Sequence, residues 1–315
     1  MSYENRIMDE NEYRACRLCP RCCGVDRTVA EGYCRKKSSL HVARASIHMW
    51  EEPCISGESG SGTIFFSGCN MGCVFCQNRR ISRGEVGKYI DIERLIEIFY
   101  ELKEKGANNI NLVTGDMFIP TIRTAIDRAR IKGFDLPFLL NTSSYLNVET
   151  VKSLQGLIDI YLPDFKYIRE EDAVRYSNAP GYVNAARDAI DEMVRQQPKA
   201  IFADEGQQKS DRNTPLMRRG VVIRHLLMPG MLIQAKMIVK YLYERYGDNV
   251  YLSLLGQYTP GDNLSSFPEI NRKVTGYEYK SLVDYAAGLG ITRAFVQEGD
   301  TARESFIPDF DLRGV

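Results

Sequence analysis

What most constrains the fold is a beat that starts at Thr63 and recurs along the chain: a short apolar run, a turn, then an amphipathic stretch. The run "TIFFSG" (63–68) reads as a buried strand. "DIERLIEIFYELKEKG" (91–106) reads as a helix, with Ile92, Leu95, Ile96, Phe99 and Leu102 on one face and Gly106 at its end. Further strands are read in "NINLVTG" (109–115), "PFLLNTSS" (137–144), "LIDIYLPDF" (157–165), "GVVIRHLLMPG" (220–230) and "NVYLSLLGQY" (249–258). The stretches 119–133, 148–156, 170–197, 231–247 and 277–290 carry the helical pattern between and after them. Six strand–helix units in order call for a parallel sheet, because parallel neighbours need a crossover and a helix is the usual one. Six units fall short of the eight of a closed barrel. The expectation is therefore an α/β fold, either an open partial barrel or a doubly wound sheet, with its chemistry at the C-terminal strand ends. The polar loop from about Lys199 to Arg219 interrupts the beat, as a mobile lid or a solvated insertion.

The first strand runs straight into "GCNMGCVFCQN" (68–78), which places Cys69, Cys73 and Cys76 in a C-x3-C-x2-C spacing at the catalytic edge. Thiolates this close on a tight loop can wrap a [4Fe-4S] cubane, whose irons favour sulfur. Three of them leave one iron open, as a catalytic site requires and a closed structural site does not. A zinc or disulfide site is the alternative, and zinc would call for a fourth Cys or His nearby. Gly68 and Gly72 permit the bends of such a loop.

The nine cysteines are odd in number and all lie between Cys16 and Cys76, which argues against a secreted disulfide framework. The 41 basic and 41 acidic side chains cancel, so nothing supplies the broad positive field of non-specific nucleic-acid binding. No apolar run is long enough to span a membrane, and "MSYENRIMDENEYR" is too polar for a signal peptide; the expected location is the cytoplasm. Residues 1–60, rich in Cys, Arg, Glu and Gly without a sustained period, suggest a small module held by ligands more than by a core. The expected organisation is this module, a barrel over 61–300 and a tail over 301–315.

The triplet at the end of the first strand of a six-unit barrel resembles the signature of the radical S-adenosylmethionine (SAM) enzymes. The resemblance implies a partial (βα)6 TIM-like barrel, a [4Fe-4S] cluster whose open iron is chelated by SAM, and reductive cleavage of SAM to methionine and a hydrogen-abstracting 5'-deoxyadenosyl radical. In "VTGDMF" (113–118), Gly115 and Asp116 partly resemble the turn that holds the SAM ammonium in that family, although Asp116 could instead cap the next helix. Asp164 and Lys166 in "LPDFKY" resemble the Asp-x-Lys of the glycyl-radical-enzyme activases, and Arg224 in "IRHLLMPG" resembles their Arg-x4-Pro-Gly strand; both imply contacts to SAM. Internal Lys166–Asp164 or Arg224–Asp116 ion pairs are the plainer reading. Asn141 and Ser143 can contact a ribose or close an Asx turn. Together with "HMWEEPCISGESGSGTIFFSGCNMGCVFCQN" and "LLGQYTP", these runs are similar to the pyruvate formate-lyase activating enzyme-like subgroup. Implied partners are a flavodoxin or ferredoxin reductant and a protein substrate such as a glycyl-radical enzyme; modification of another peptide, nucleoside or metabolite, or a non-catalytic redox module, are the alternatives.

Upstream lies "CRLCPRCCGVDRTVAEGYC". The resemblance favours Cys16, Cys19, Cys23 and Cys34 as a ligand set, leaving Cys22 and Cys54 unassigned. Zinc, an auxiliary iron-sulfur cluster, and no metal with redox-labile thiols all remain open for it. His48, beside Trp50, Glu51 and Glu52, suits an interface between module and barrel. His225, next to Arg224 on a strand, must face away from whatever Arg224 faces.

Overall fold

The structure, a computed structural model, describes residues 11–203, 215–261, 264–296 and 308–315. In chain order the elements are α1 (Asn11–Arg14), β1 (Leu40–His48), α2 (Pro53–Ser56), β2 (Ser61–Phe66), α3 (Arg79–Ser82), β3 (Lys88–Ile90), α4 (Ile92–Glu104), β4 (Ile110–Val113), α5 (Ile119–Ile131), β5 (Phe138–Thr142) and α6 (Val148–Lys152). They continue as β6 (Ile160–Pro163), α7 (Glu170–Ser177), α8 (Tyr182–Gln196), β7 (Ile201–Phe202), β8 (Met217–Leu226), α9 (Leu232–Tyr246), β9 (Tyr251–Leu255), α10 (Gly276–Gly288) and β10 (Ala294–Val296).

The sheet runs β10-β9-β8-β6-β5-β4-β2-β1-β3, and every pair from β2 to β10 is parallel. That order never doubles back. A doubly wound sheet would reverse direction at a switch point, whereas one-way addition keeps the crossover helices on a single side and rolls the sheet into a partial barrel. The two faces confirm it. Ile64, Leu112, Leu140, Tyr161 and Ile223 point outward into the main core with Leu95, Phe99, Ile122 and Ile126 of the helices. The alternate residues Leu139, Ile160, Leu162 and Val222 point inward, where Cys54 and Ile55 of α2 plug the floor. The expected helical stretch 170–197 divides in two where Asn178 takes a left-handed conformation at the end of α7.

The N-terminal sixty residues merge with the sheet further than their composition suggests. β1 pairs antiparallel with β2 from Val42 to His48 and with β3 from Leu40 to Val42, so the stretch is the last strand but one of the barrel sheet, with β3 at the edge. Residues 308–315 of the expected tail lie along it, Leu312 N–H donating to Ala43 O (3.2 Å) and Ala45 N–H to Arg313 O (2.9 Å). Residues 204–214, most of the expected lid or insertion, and 301–307 of the tail fall outside the described residues.

Candidate functional site

Beyond Phe66 the chain must turn sharply over the barrel mouth. Gly68 makes the turn at φ +104°, and a Cβ there would stand 2.6 Å from Lys36 Cγ and 2.8 Å from Cys34 O. Gly72 serves differently from the expected bend. It is not among the residues of positive φ, and it is small because Tyr33 Oη stands 3.0 Å from where its Cβ would be. The loop is pinned to the end of α7 by Gly72 N–H to Ser177 O and Val74 N–H to Tyr176 O, both 2.9 Å. Cys69, Cys73 and Cys76 are thus gathered, half-buried, at the C-terminal end of β2. The Ser177 hydroxyl donates to Cys73 Sγ (2.9 Å) and meets Tyr167 Oη behind it (2.6 Å). Burial pushes the Cys73 thiol up to about 11, against the pull of Lys166. It raises Cys69 further, with Cys73 and, among lesser causes, Asp116 adding to the effect.

Asp116 follows the end of β4 at the same mouth and is only 1% exposed. Neither of its oxygens has a hydrogen-bond partner of good geometry, so it does not serve as a helix cap: α5 begins after Phe118, which makes no side-chain cap. Burial pushes its carboxyl up to about 7; the nearby Thr142 hydroxyl opposes this and Asp164 reinforces it.

Asp164, Lys166 and Arg224 come together, with no Arg224–Asp116 pair among the ion pairs Arg224 makes. Lys166 Nζ donates to Asp164 Oδ2 (2.5 Å) and Arg224 Nε to Asp164 Oδ1 (3.1 Å), while Arg224 Nη2 donates to Asn141 Oδ1. The plainer Lys166–Asp164 pair is therefore present; Arg224 pairs with Asp164 and, through Nη1, with Glu51 Oε2 at 3.3 Å. Burial alone would raise Asp164, but Lys166 and Arg224 hold it below the ordinary carboxylate range. Burial, the largest influence, would lower both cations, yet Asp164 together with Cys73 at Lys166, and with Glu52 and Glu51 at Arg224, raises them overall. Ser143 stands apart: its hydroxyl accepts the Tyr145 N–H (3.4 Å), a local turn, and its carbonyl takes the Tyr182 hydroxyl (3.1 Å). His225 faces the opposite way from Arg224, with Nδ1 on Phe165 O at 2.9 Å.

Sequence reasoning missed what lies under Arg224. Glu51 and Glu52 stand on the turn between β1 and α2 and reach inside the barrel. Glu51 Oε1 accepts from Asn111 Nδ2 (2.8 Å), and the Glu52 side chain meets Ser253. Burial raises both carboxyls, with Arg224 opposing. Asn111, a polar residue in the inward register of an otherwise apolar strand, was the available signal.

Cys16, Cys19, Cys23 and Cys34 line one small cavity together with Arg21, Arg27, Asn70, Asp116 and Met117. Among the described residues no three Cys, His, Asp or Glu side chains are grouped as a ready single-ion site, here or at the cysteine loop. Burial pushes Cys19 up to about 12 and raises Cys34 despite Arg27. Arg27 is itself buried and donates to Met117 O (2.7 Å), Lys36 O (3.0 Å) and Lys37 O (2.7 Å). Arg21 Nε donates to Asn70 O (2.9 Å) inside the cysteine loop. Cys22 is exposed, and Cys54 is sealed in the barrel floor.

Residues 63–202 match the family model of the Radical SAM superfamily, a span that includes the three loop cysteines, Asp116, Asp164 and Lys166. The chain is 28% identical to an uncharacterized protein of Methanocaldococcus jannaschii over 284 residues, covering 88% of this chain and 75% of that protein. Among solved structures it is similar to the FeFe-hydrogenase maturase HydG of Carboxydothermus hydrogenoformans (16% identity, TM-score 0.49, 75% of this chain and 53% of that one). It is also similar to SuiB of Streptococcus suis bound to S-adenosylmethionine (12% identity, TM-score 0.45, 74% of this chain and 49% of that one). The chain spans about half the length of these two solved proteins.

Proposed function

We propose that the radical SAM domain of this chain works as an enzyme, with Cys69, Cys73 and Cys76 holding a [4Fe-4S] cluster and the barrel mouth holding SAM. The observation that carries this reading is the orphaned, buried Asp116 carboxylate beside Cys69: it lacks a partner that an ammonium group would supply. The donor set fits as well, since three thiols on one loop suit iron and leave a corner for a further ligand. When bound, the two groups supply one-electron cleavage of the SAM sulfur–carbon bond to methionine and a 5'-deoxyadenosyl radical, which takes a hydrogen atom from the substrate.

The protein's own residues do the positioning. Asp116 receives the SAM ammonium. Arg224, with Asn141 beside it, addresses the carboxylate or ribose side, and Lys166 is held toward Cys73 by Asp164. A flavodoxin or ferredoxin delivers the electron in a cytoplasmic setting. The substrate read from the Asp164-x-Lys166 and Arg224 runs is a peptide position in a partner protein, as in activation of a glycyl-radical enzyme, and the chain takes its place near the pyruvate formate-lyase activating enzyme-like proteins. The four N-terminal thiols would hold zinc or an auxiliary iron-sulfur cluster.

Anaerobically reconstituted protein given SAM and dithionite should release 5'-deoxyadenosine and methionine in equal amounts. Protein that holds about four irons in the loop yet neither binds nor cleaves SAM would leave a non-catalytic iron-sulfur module as the correct reading.

A further inference from the structure

We infer that Glu51 is a positioning residue for SAM binding that acts through Arg224, holding its guanidinium from the barrel floor. The inference rests on the reading of the mouth as a SAM site. The turn that carries Glu51 is stiff. Pro53 opens α2, which keeps Glu52 extended at φ −53° and ψ 146°, and the Glu51 N–H is taken by Ser56 Oγ at 3.0 Å. From this base the side chain climbs between the strands to Asn111 and Arg224.

Arg224 is gripped by three acceptors on three elements: Asp164 just beyond β6, Asn141 on β5, and Glu51 from the opposite end of the barrel. Its side chain is 15% exposed, and that of Glu51 is 9% exposed. Charge shows why Glu51 is needed. Asp164 alone would face two cations, Lys166 and Arg224, in a poorly hydrated place. Glu51, whose Oε2 meets Arg224 Nη1, and Glu52 beside it add negative charge beneath Arg224, and Asp164 can serve Lys166 through one oxygen and Arg224 through the other. Removing the lower carboxylate leaves Arg224 free to swing toward Asp164 and compete with Lys166 for it. The face that Arg224 offers to the mouth is then no longer fixed.

Glu51→Gln keeps the volume and the acceptor for Asn111 while removing the charge and replacing the oxygen that faces Arg224 with an amide NH2. The test is a cycle of Glu51→Gln, Arg224→Lys and the double variant, each reconstituted with iron and assayed for SAM affinity by equilibrium dialysis in mildly alkaline buffer. Iron per chain and the thermal midpoint of the cluster-free chain report on folding. We expect Glu51→Gln to weaken SAM binding about tenfold in the parent chain and less than about twofold when Arg224 is already Lys, with iron unchanged. Equal weakening in both backgrounds, or none in the parent, overturns the inference. If Glu51→Gln does not fold, Glu51→Asp, which keeps the charge but shortens the reach, must show the same dependence on Arg224. A parent chain that binds iron but no SAM strikes the proposed function itself and is thereby told apart from a failure of this step.

Discussion

Cys69, Cys73 and Cys76 at the barrel mouth and Cys16, Cys19, Cys23 and Cys34 behind it share one chemistry in opposite surroundings. The mouth set has charged neighbours with bonding capacity to spare: neither oxygen of Asp116, which stands between the two sets, has a hydrogen-bond partner of good geometry, and Lys166 stands close enough to act on Cys73. The rear set is walled by Arg27, whose guanidinium bonds go to backbone carbonyls and, at 3.9 Å, to Cys16 Sγ. The rear segment also presses on the mouth loop, Cys34 and Lys36 against Gly68, Tyr33 against Gly72, and Arg21 on Asn70 O. The difference teaches a division of labour. On the proposed reading the mouth set faces chemistry, and the rear segment packs against the loop that carries it.

The contrast is broken most directly by exchanging one thiol in each set. Cys73→Ser should abolish loop iron and lower 5'-deoxyadenosine formation about a thousandfold or more, because a group that works as a unit fails when one member goes. Cys16→Ser should leave the loop iron in place and the rate within about tenfold of the parent. Equal losses in the two variants, with loop iron intact in the second, would show that the sets are not divided in this way.

Next in size is Asp116→Asn. Loss of a charge-assisted bond costs about 1.5–3 kcal/mol, so SAM affinity should fall roughly 10- to 100-fold while iron content stays constant. The rear set is probed by Arg27→Ala, which leaves two buried carbonyls and a part-buried third without their donor. Stability by urea titration should drop by about 2–4 kcal/mol, with the loop more open to proteolysis. An unchanged midpoint would deprive the rear set of its holding role.

How far the sequence discloses this division depends on separation along the chain. The six strand–helix units were legible because period and turn residues are local, and the triplet because its spacing is. Asp164 and Lys166 sit two apart on an extended segment, so alternation already placed them together. β1 was not read as a strand: its pairing with β2 and its contacts with 308–315 are non-local, and its neighbours in sequence are a cysteine-rich, aperiodic stretch. Glu51 and Glu52 look like surface acids before a proline. Only barrel closure sets Glu51 under Arg224, 173 residues away. Asp116 was weighed as a helix cap because sequence shows an acid before a helix and cannot show that α5 starts three residues later.

The last prediction sharpens the contrast between the charged mouth and the outer side of the strand behind it, using neighbours on one strand. Arg224 turns into the ion network, whereas His225 turns outward into a small cavity lined by Leu226, Met228, Ala235 and Ile238 and also by Lys166 and Asp172. Burial lowers its imidazole to about 4, with Lys166 adding to that and the Phe165 carbonyl and Asp164 opposing. The folded state therefore keeps His225 neutral, and the unfolded chain, titrating near 6.5, binds the extra proton first. Stability from this residue is complete above about pH 6.5 and is lost as pH falls from there toward 4, at most on the order of 3 kcal/mol. Urea midpoints from neutral pH down to about 5 should fall more steeply in the parent than in His225→Gln, which cannot titrate. Parallel slopes would mean that the wall behind the mouth is wet enough to carry the charge.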